Sequence, residues 1–342
     1  MTKSVSASQE TSALATAPNA AADEVDALGG RLSEVKSRIA QVIFGQEQVV
    51  DETLITLLAG GHALLIGVPG LAKTRLVETL GTVMGLAEKR VQFTPDLRPA
   101  DITGSEVLEE TEDGKRSFRF IQGPVFCQLL MADEINRASP RTQSALLQAM
   151  QEKEVSVSGR RHPLPHPFHV LATQNPLEQE GTYPLPEAQL DRFFLQIDVT
   201  YPELAAERDM LQATTGSTET TASEVMSATE FEDAQRLVRR IPVGDKVMEA
   251  ILSLVRNGRP ETSEYEQVRK HVAWGPGPRA SQSLMLAVRA RAVLHGRLSP
   301  SADDVLALAA PVLRHRMALN FSARADGVTV ETVIDLLCRP LK

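Results

Sequence analysis

Residues 62–75 read His62-Ala-Leu-Leu-Ile-Gly67-Val-Pro-Gly-Leu-Ala-Lys73-Thr74-Arg75. The apolar run is short, continuous and bounded by glycine, which predicts a strand buried on both faces. The segment Gly67-Val68-Pro69-Gly70-Leu71-Ala72-Lys73-Thr74 then opens a helical pattern over Arg75–Met84. A strand, a glycine-rich loop and a helix N-terminus in succession form a phosphate cradle. Backbone N–H groups surround the phosphate oxygens, Lys73 reaches the β and γ oxygens, and Thr74 ligates Mg²⁺. One position departs from the pattern. The glycine expected before the lysine is Ala72, which suits helical backbone angles and is strained in left-handed ones.

On either side, short apolar runs at Arg90–Thr94, Gln128–Ala132, Phe168–Thr173 and Phe193–Val199 alternate with helical stretches such as Arg141–Gln151. Strands alternating with helices predict an α/β fold built on a parallel sheet. Asp133 and Glu134 end the second of these runs, at the carboxyl edge where such sheets place ligands. Asp133 suits a Mg²⁺ ligand, directly or through water, and Glu134 suits polarisation of the water that attacks a γ-phosphate. Asn175, after the run Val170–Thr173, can orient that water; an Asn before Pro176 also serves simply as a turn former. Arg192, in Leu190-Asp-Arg-Phe193, reads either as a surface cation paired with Asp191 or as an arginine finger completing a neighbouring subunit's site.

Residues 1–27 are rich in Ala, Ser and Thr and read as a flexible tail. Leu28, Leu32, Val35, Ile39 and Val42 recur at helical spacing, and a second helical pattern spans 47–60. The α/β domain is expected over 28–200. After Tyr201-Pro202 every pattern reads as helical, with stretches near 203–214, 230–240, 245–256, 279–295 and 302–319, so a helical domain is expected over 201–342. Pro99–Gly123 and Glu154–Pro167 alternate polar and apolar residues and read as β-hairpin insertions.

The 342 residues carry 36 basic and 44 acidic side chains, a net charge of −8, which disfavours a chain built to coat nucleic acid or an anionic membrane. Cys127 and Cys338 lie far apart in apolar runs, supporting neither a disulfide framework nor a thiolate site; a reducing, cytoplasmic setting is expected. No stretch reaches the roughly 20 apolar residues of a membrane span. His162, His166 and His169 are separated by prolines that prevent one helical face from converging them, so no metal site is assigned to them.

Taken together, the phosphate loop, Asp133-Glu134-Ile-Asn-Arg137, Gln143-Ser-Ala-Leu-Leu-Gln-Ala-Met150, Ala172-Thr-Gln-Asn-Pro176 and Leu190-Asp-Arg-Phe193 resemble the motif set of AAA+ ATPases, and of the MoxR family in particular. Ala72 matches that family's loop, and the resemblance covers about residues 30–342. It implies a nucleotide-binding domain and a helical lid assembled into a homo-oligomeric ring, commonly hexameric, with ATP at subunit interfaces. Lys73 and Thr74 become the phosphate and Mg²⁺ residues, Asp133 and Glu134 the Walker B pair, Asn175 sensor 1 and Arg192 the finger. The resemblance also assigns Arg279, in Gly275-Pro-Gly-Pro-Arg279, to sensor 2 near the γ-phosphate. Val42, Ile43 and Gly45 match the segment that packs on adenine, and the two hairpins match the insertions of the helix-2-insert group. Arg141, Arg289, Arg291, Arg314 and Arg316 read either as contributors to a subunit interface or as the solvated arginines that amphipathic helices routinely carry. Family members act as chaperone-like motors, often with partners bearing a von Willebrand factor A domain.

The expectation is thus a Mg²⁺-dependent ATPase that remodels a protein client. A DNA-translocating motor related to MCM helicases and a nucleotide-dependent scaffold are the alternatives. The acidic charge and only 10 Phe, 3 Tyr and 1 Trp argue against the first alternative, and the intact Asp133-Glu134 pair argues against the second. The first insertion carries Asp101, Glu106, Glu109, Glu110, Glu112 and Asp113 against Lys115, Arg116 and Arg119, and the second offers Lys153, Arg160 and Arg161. Both are expected to engage protein.

Overall fold

The computed structural model describes residues 17–110, 116–178, 180–216 and 221–341. Five parallel strands, β1 (Ala63–Ile66), β2 (Glu88–Gln92), β5 (Leu129–Asp133), β8 (His169–Gln174) and β9 (Leu195–Asp198), form a sheet in the order β2-β5-β8-β1-β9. Period-two alternation sorts their side chains between two cores. Ala63, Leu65, Leu129, Met131, Leu171, Leu195 and Ile197 face one core; Leu64, Leu130, Ala132, Val170 and Ala172 face the other. The first core holds α1 (Ala17–Ala40), α2 (Glu47–Leu58) and α3 (Lys73–Val83), and continues without a break into the C-terminal helices. The second is covered by α4 (Pro99–Thr103), α5 (Pro140–Glu152) and the insertions.

Both insertions are antiparallel hairpins. The first pairs β3 (Gly104–Glu110) with β4 (Arg116–Gln122), the second β6 (Glu154–Val157) with β7 (Arg160–Pro163). Ser158 and Gly159, at φ 50° and 79°, turn the second, as a tight hairpin requires. His162 stacks on Phe120 at 3.9 Å and joins the two hairpins, whereas His169 is buried against Gly61 O and Gln235. Leu108 and Phe118, a cross-strand pair on the first hairpin, are 51% and 66% exposed. Glu112, Asp113 and Lys115 lie outside the described residues.

The helical region comprises α6 (Glu187–Leu190) just before β9, then α7 (Leu204–Thr214), α8 (Ala228–Arg240), α9 (Asp245–Asn257), α10 (Glu266–His271), α11 (Pro278–Leu294), α12 (Ala302–Leu313), α13 (Phe321–Ala325) and α14 (Val330–Cys338). Three expectations are corrected. The tail reading fails over 17–27: α1 starts at Ala17, in an alanine-rich stretch of high helix propensity, and Val25 is buried in line with Leu32 and Ile39. Residues 1–16 lie outside the described residues. The region after 201 is not wholly helical, because β10 (Val272–Trp274) pairs antiparallel with β11 (Ala318–Leu319). The helix expected over 302–319 stops at Leu313, and Arg314–Arg316 form a 3₁₀ turn leading into β11.

Candidate functional site

The parallel register brings four strand ends together. Ile66 pairs with Gln174, so Gly67 and Asn175 leave the sheet side by side, and Gln92 pairs with Asp133 one strand further on. A cleft of about 420 Å³ is lined by loop residues 69–75 with Arg90, Asp133, Glu134, Thr173 and Asn175. Lys73 begins α3, and its ammonium donates to Gly67 O across the loop. Burial lowers the Lys73 pKa, while the carboxylates of Asp133 and Glu134 push it up. Gly70 has φ 85°, and Ala72 is left-handed at φ 55°, ψ 21°. Ala72 therefore occupies the conformation that an alanine adopts only at a cost of about 1–2 kcal/mol.

Asp133 is almost fully buried. Its Oδ1 accepts from Thr173 Oγ1 at 2.5 Å and its Oδ2 from Arg90 at 2.6 Å. The backbone N–H of Glu134 donates to the same Thr173 hydroxyl at 2.9 Å, and Glu134 too is left-handed, at φ 54°. Its Oε2 accepts from Gln92 Nε2 at 2.7 Å and from Arg137 at 3.1 Å. Asn175 Oδ1 accepts from Leu177 N–H at 3.1 Å, so the turn-forming reading of Asn175 holds; the residue is also a wall of the cleft. Thr74 and Asp133 supply hard oxygen donors of the kind Mg²⁺ takes beside phosphate, so the donor set fits that ion.

Gly67, Val68 and Leu71 border an adjoining cavity of about 550 Å³ with Thr200 and Tyr201. A third, of about 650 Å³, shares Thr200 and Tyr201 and reaches Gly45 and Gln46. The three form a trough running from the acid pair to the start of α2. Gly45 has φ 64° and packs on Pro202 and Ala206; Val42 and Ile43 are buried in the first core.

Arg192 and Arg279 lie elsewhere. Both line a cavity of about 270 Å³ that shares no residue with the phosphate cleft. Arg279 NH1 lies 3.5 Å from Asp191 Oδ2, and Arg192 donates to Leu147 O at 2.8 Å. The expectation that Arg279 sits near the γ-phosphate is corrected for its own chain's loop, because α11 docks on α2 and presents Arg279 beside Asp191. Arg192 does not pair with Asp191. One interface candidate is also corrected: Arg316 is 1% exposed, while Arg314 pairs with Asp198 at 2.6 Å within its own chain.

Thr173, Arg90 and Gln92 escaped sequence reasoning. Thr173 had a signal, a hydroxyl one strand over from the acid pair; Arg90 and Gln92, two apart on β2, became visible only with the β2-β5 register.

A glycine-loop strand beside the strand bearing Asn175, with the acid pair one strand beyond, defines a phosphate-loop nucleotide-binding core. A family model described as "ATPase family associated with various cellular activities (AAA)" matches residues 62–195, and one described as "AAA lid domain" matches 265–337. Chaperone MoxR1 of Mycobacterium tuberculosis is 42% identical, across 92% of this chain and 81% of that protein. Protein MoxR of Paracoccus denitrificans is 31% identical, across 85% and 89%. A crystal structure from Cytophaga hutchinsonii, of a protein described as a candidate ATPase, superposes with a TM-score of 0.86 at 35% identity, covering 93% of this chain and 96% of that one. The chain belongs to the MoxR family of AAA+ ATPases.

Proposed function

We propose that this protein hydrolyses ATP to ADP and phosphate in a homo-oligomeric ring and uses the cycle to remodel a protein client in the cytoplasm. The observation that carries the reading is the convergence of Lys73, Asp133, Glu134 and Asn175 on one cleft. The backbone N–H groups of 70–74 and Lys73 bind the phosphates, and the base and ribose extend along the trough toward Gly45. Thr74 and Asp133 would hold Mg²⁺, which neutralises phosphate charge when bound. Glu134 takes a proton from the attacking water, and Asn175 orients that water. The nucleotide-binding unit is 28–200, extended by α1, and the lid 201–342.

Arg192 and Arg279 act on the nucleotide of a neighbouring chain. Their cavity presents the guanidinium groups of Arg192 and Arg279, with the buried Arg316 behind them, against the single carboxylate of Asp191, an excess of positive charge suited to phosphate. The exposed Leu108-Phe118 pair among Glu106, Glu109 and Glu110 favours a protein partner, such as a von Willebrand factor A domain adaptor, over nucleic acid. Among the described residues no helix is long and apolar enough to cross a membrane.

The test uses single variants and mixtures. A ligand at 100 times its dissociation constant stabilises the folded form by about 2.7 kcal/mol, so Mg-ATP should raise the melting temperature of Glu134→Gln and leave Lys73→Ala unmoved. Arg192→Ala and Glu134→Gln should each abolish turnover alone. Mixed, they should recover part of it, because an interface with Arg192 from one chain and Glu134 from the other is intact. Equal thermal shifts in Lys73→Ala and Glu134→Gln would remove Lys73 from the site. Mixed rings that form and stay inactive would sink the cross-chain role.

A further inference from the structure

Arg316 stands in the 3₁₀ turn after α12 and is 1% exposed. Its five N–H donors reach acceptors on three separate elements. Nε donates to Asp191 Oδ1 at 2.8 Å; NH1 donates to Val312 O at 2.6 Å and Phe194 O at 3.1 Å; NH2 donates to Phe193 O at 2.7 Å, with Ser283 Oγ at 3.3 Å and Asp191 O at 3.4 Å. One planar group thus ties the 191–194 turn to α11 and to the end of α12. A buried charge among carbonyls is a poor source of stability, since apolar residues of similar volume commonly stabilise as well or better. The reason for its place lies in what it holds.

The two elements it joins are those that carry the cationic pair. Arg192 follows Asp191 directly, and Ser283 lies one helical turn beyond Arg279 on α11. The Asp191 carboxylate is shared, Oδ1 with Arg316 and Oδ2 with Arg279 at 3.5 Å. All three arginines line one cavity of about 270 Å³. With the turn pinned and Asp191 oriented from below, Arg192 and Arg279 are held at one mouth.

We propose that Arg316 is a positioning residue that, through Asp191, sets Arg192 and Arg279 as one unit for phosphate bound on a neighbouring chain. The inference rests on the cross-chain reading above. Lysine in its place keeps the charge but is a point donor that cannot bridge three elements. A misplacement of the pair by about 1 Å is worth on the order of 10²-fold in rate.

The experiment uses the full chain and ATP as the probe. Arg316→Lys should bind ATP within about twofold of wild type and assemble normally, with kcat reduced about 10–100-fold and KM little changed. Mixed with Glu134→Gln it should regain activity, as Arg192→Ala does; mixed with Arg192→Ala it should not, because both defects sit on the donating side. A general folding defect would damage both sides and escape rescue. Asp191→Asn keeps the shape and most hydrogen bonds while removing the shared charge, and should show the same donating-side defect even if Arg316→Lys folds poorly. Unreduced kcat in both variants, or loss that Glu134→Gln cannot rescue while it rescues Arg192→Ala, overturns the proposal. Failure of the Arg192→Ala and Glu134→Gln mixture itself marks failure of the cross-chain reading, and the proposal falls with it.

Discussion

The side chain of Gln92 donates to the carboxylate of Glu134 at 2.7 Å, from the end of β2 to the residue that follows β5. The carboxylate assigned to activate water is therefore engaged from the strand that leads toward the first insertion. A hydrogen bond to a charged group is worth about 1.5–3 kcal/mol, so the contact can hold Glu134 back from water. Gln92→Leu is expected to raise basal ATP turnover about 3–10-fold with ATP affinity unchanged, measured by steady-state hydrolysis and nucleotide titration. A fall in turnover would mean that Gln92 orients Glu134 productively.

Ala72 at φ 55° stores left-handed strain of about 1–2 kcal/mol inside the phosphate loop. Ala72→Gly relieves it and loses about 0.5–1 kcal/mol to unfolded-chain entropy. A net gain of about 0.5–1 kcal/mol in stability is expected from denaturant unfolding without nucleotide. Destabilisation by Ala72→Gly would show that the loop is relaxed as it stands.

Glu52, on α2, is buried beside Asp198, and its pKa is raised to about 7 by burial, with the Gln48 hydrogen bond and Arg314 opposing. The folded chain then binds more protons than the unfolded one between about pH 4.5 and 7. This group's contribution is fully present below 4.5 and lost as pH rises through 7. Glu52→Gln should therefore be more stable than wild type at pH 8, by up to about 3 kcal/mol, and no more stable at pH 4.5. Melting curves of both proteins across that range provide the check; a pH-independent difference would refute the assignment.

His62 and His169 work in the opposite sense. Burial lowers their pKa values to about 3 and about 4, and both are tied into the fold: His62 accepts from Val170 N–H at 2.9 Å, and His169 accepts from Gln235 of α8 at 2.9 Å. The unfolded chain takes up the extra protons below pH 6.5, so stability is full above that value and falls toward pH 4, at about 1.4 kcal/mol per pH unit for each ring. Their joint effect exceeds that of Glu52 and should lower the melting temperature between pH 6.5 and 4.5. A flat profile there would contradict it.

The phosphate loop, the acid pair and the strand-end Asn175 were legible without coordinates, because each is a run of adjacent residues whose strand or turn is fixed within a few positions. The hairpins were legible for the same reason, since alternation marks their strands, and in the second the Ser158-Gly159 turn sets the pairing. The start of α1 was missed because alanine and charged residues carry little apolar pattern; only Val25, packed into a distant core, marks it. Strand β10 is three residues long and exists through β11, 46 residues beyond its first residue. Gln92, Arg90 and Thr173 reach the acid pair through the register of parallel strands, and Arg192 and Arg279 share a cavity through the docking of α11, 88 residues on from Asp191. Sequence alone therefore determined which chemical groups this protein carries and on which local elements; the tertiary structure decided which of them meet, because strand order and helix docking depend on burying apolar faces far apart in the chain.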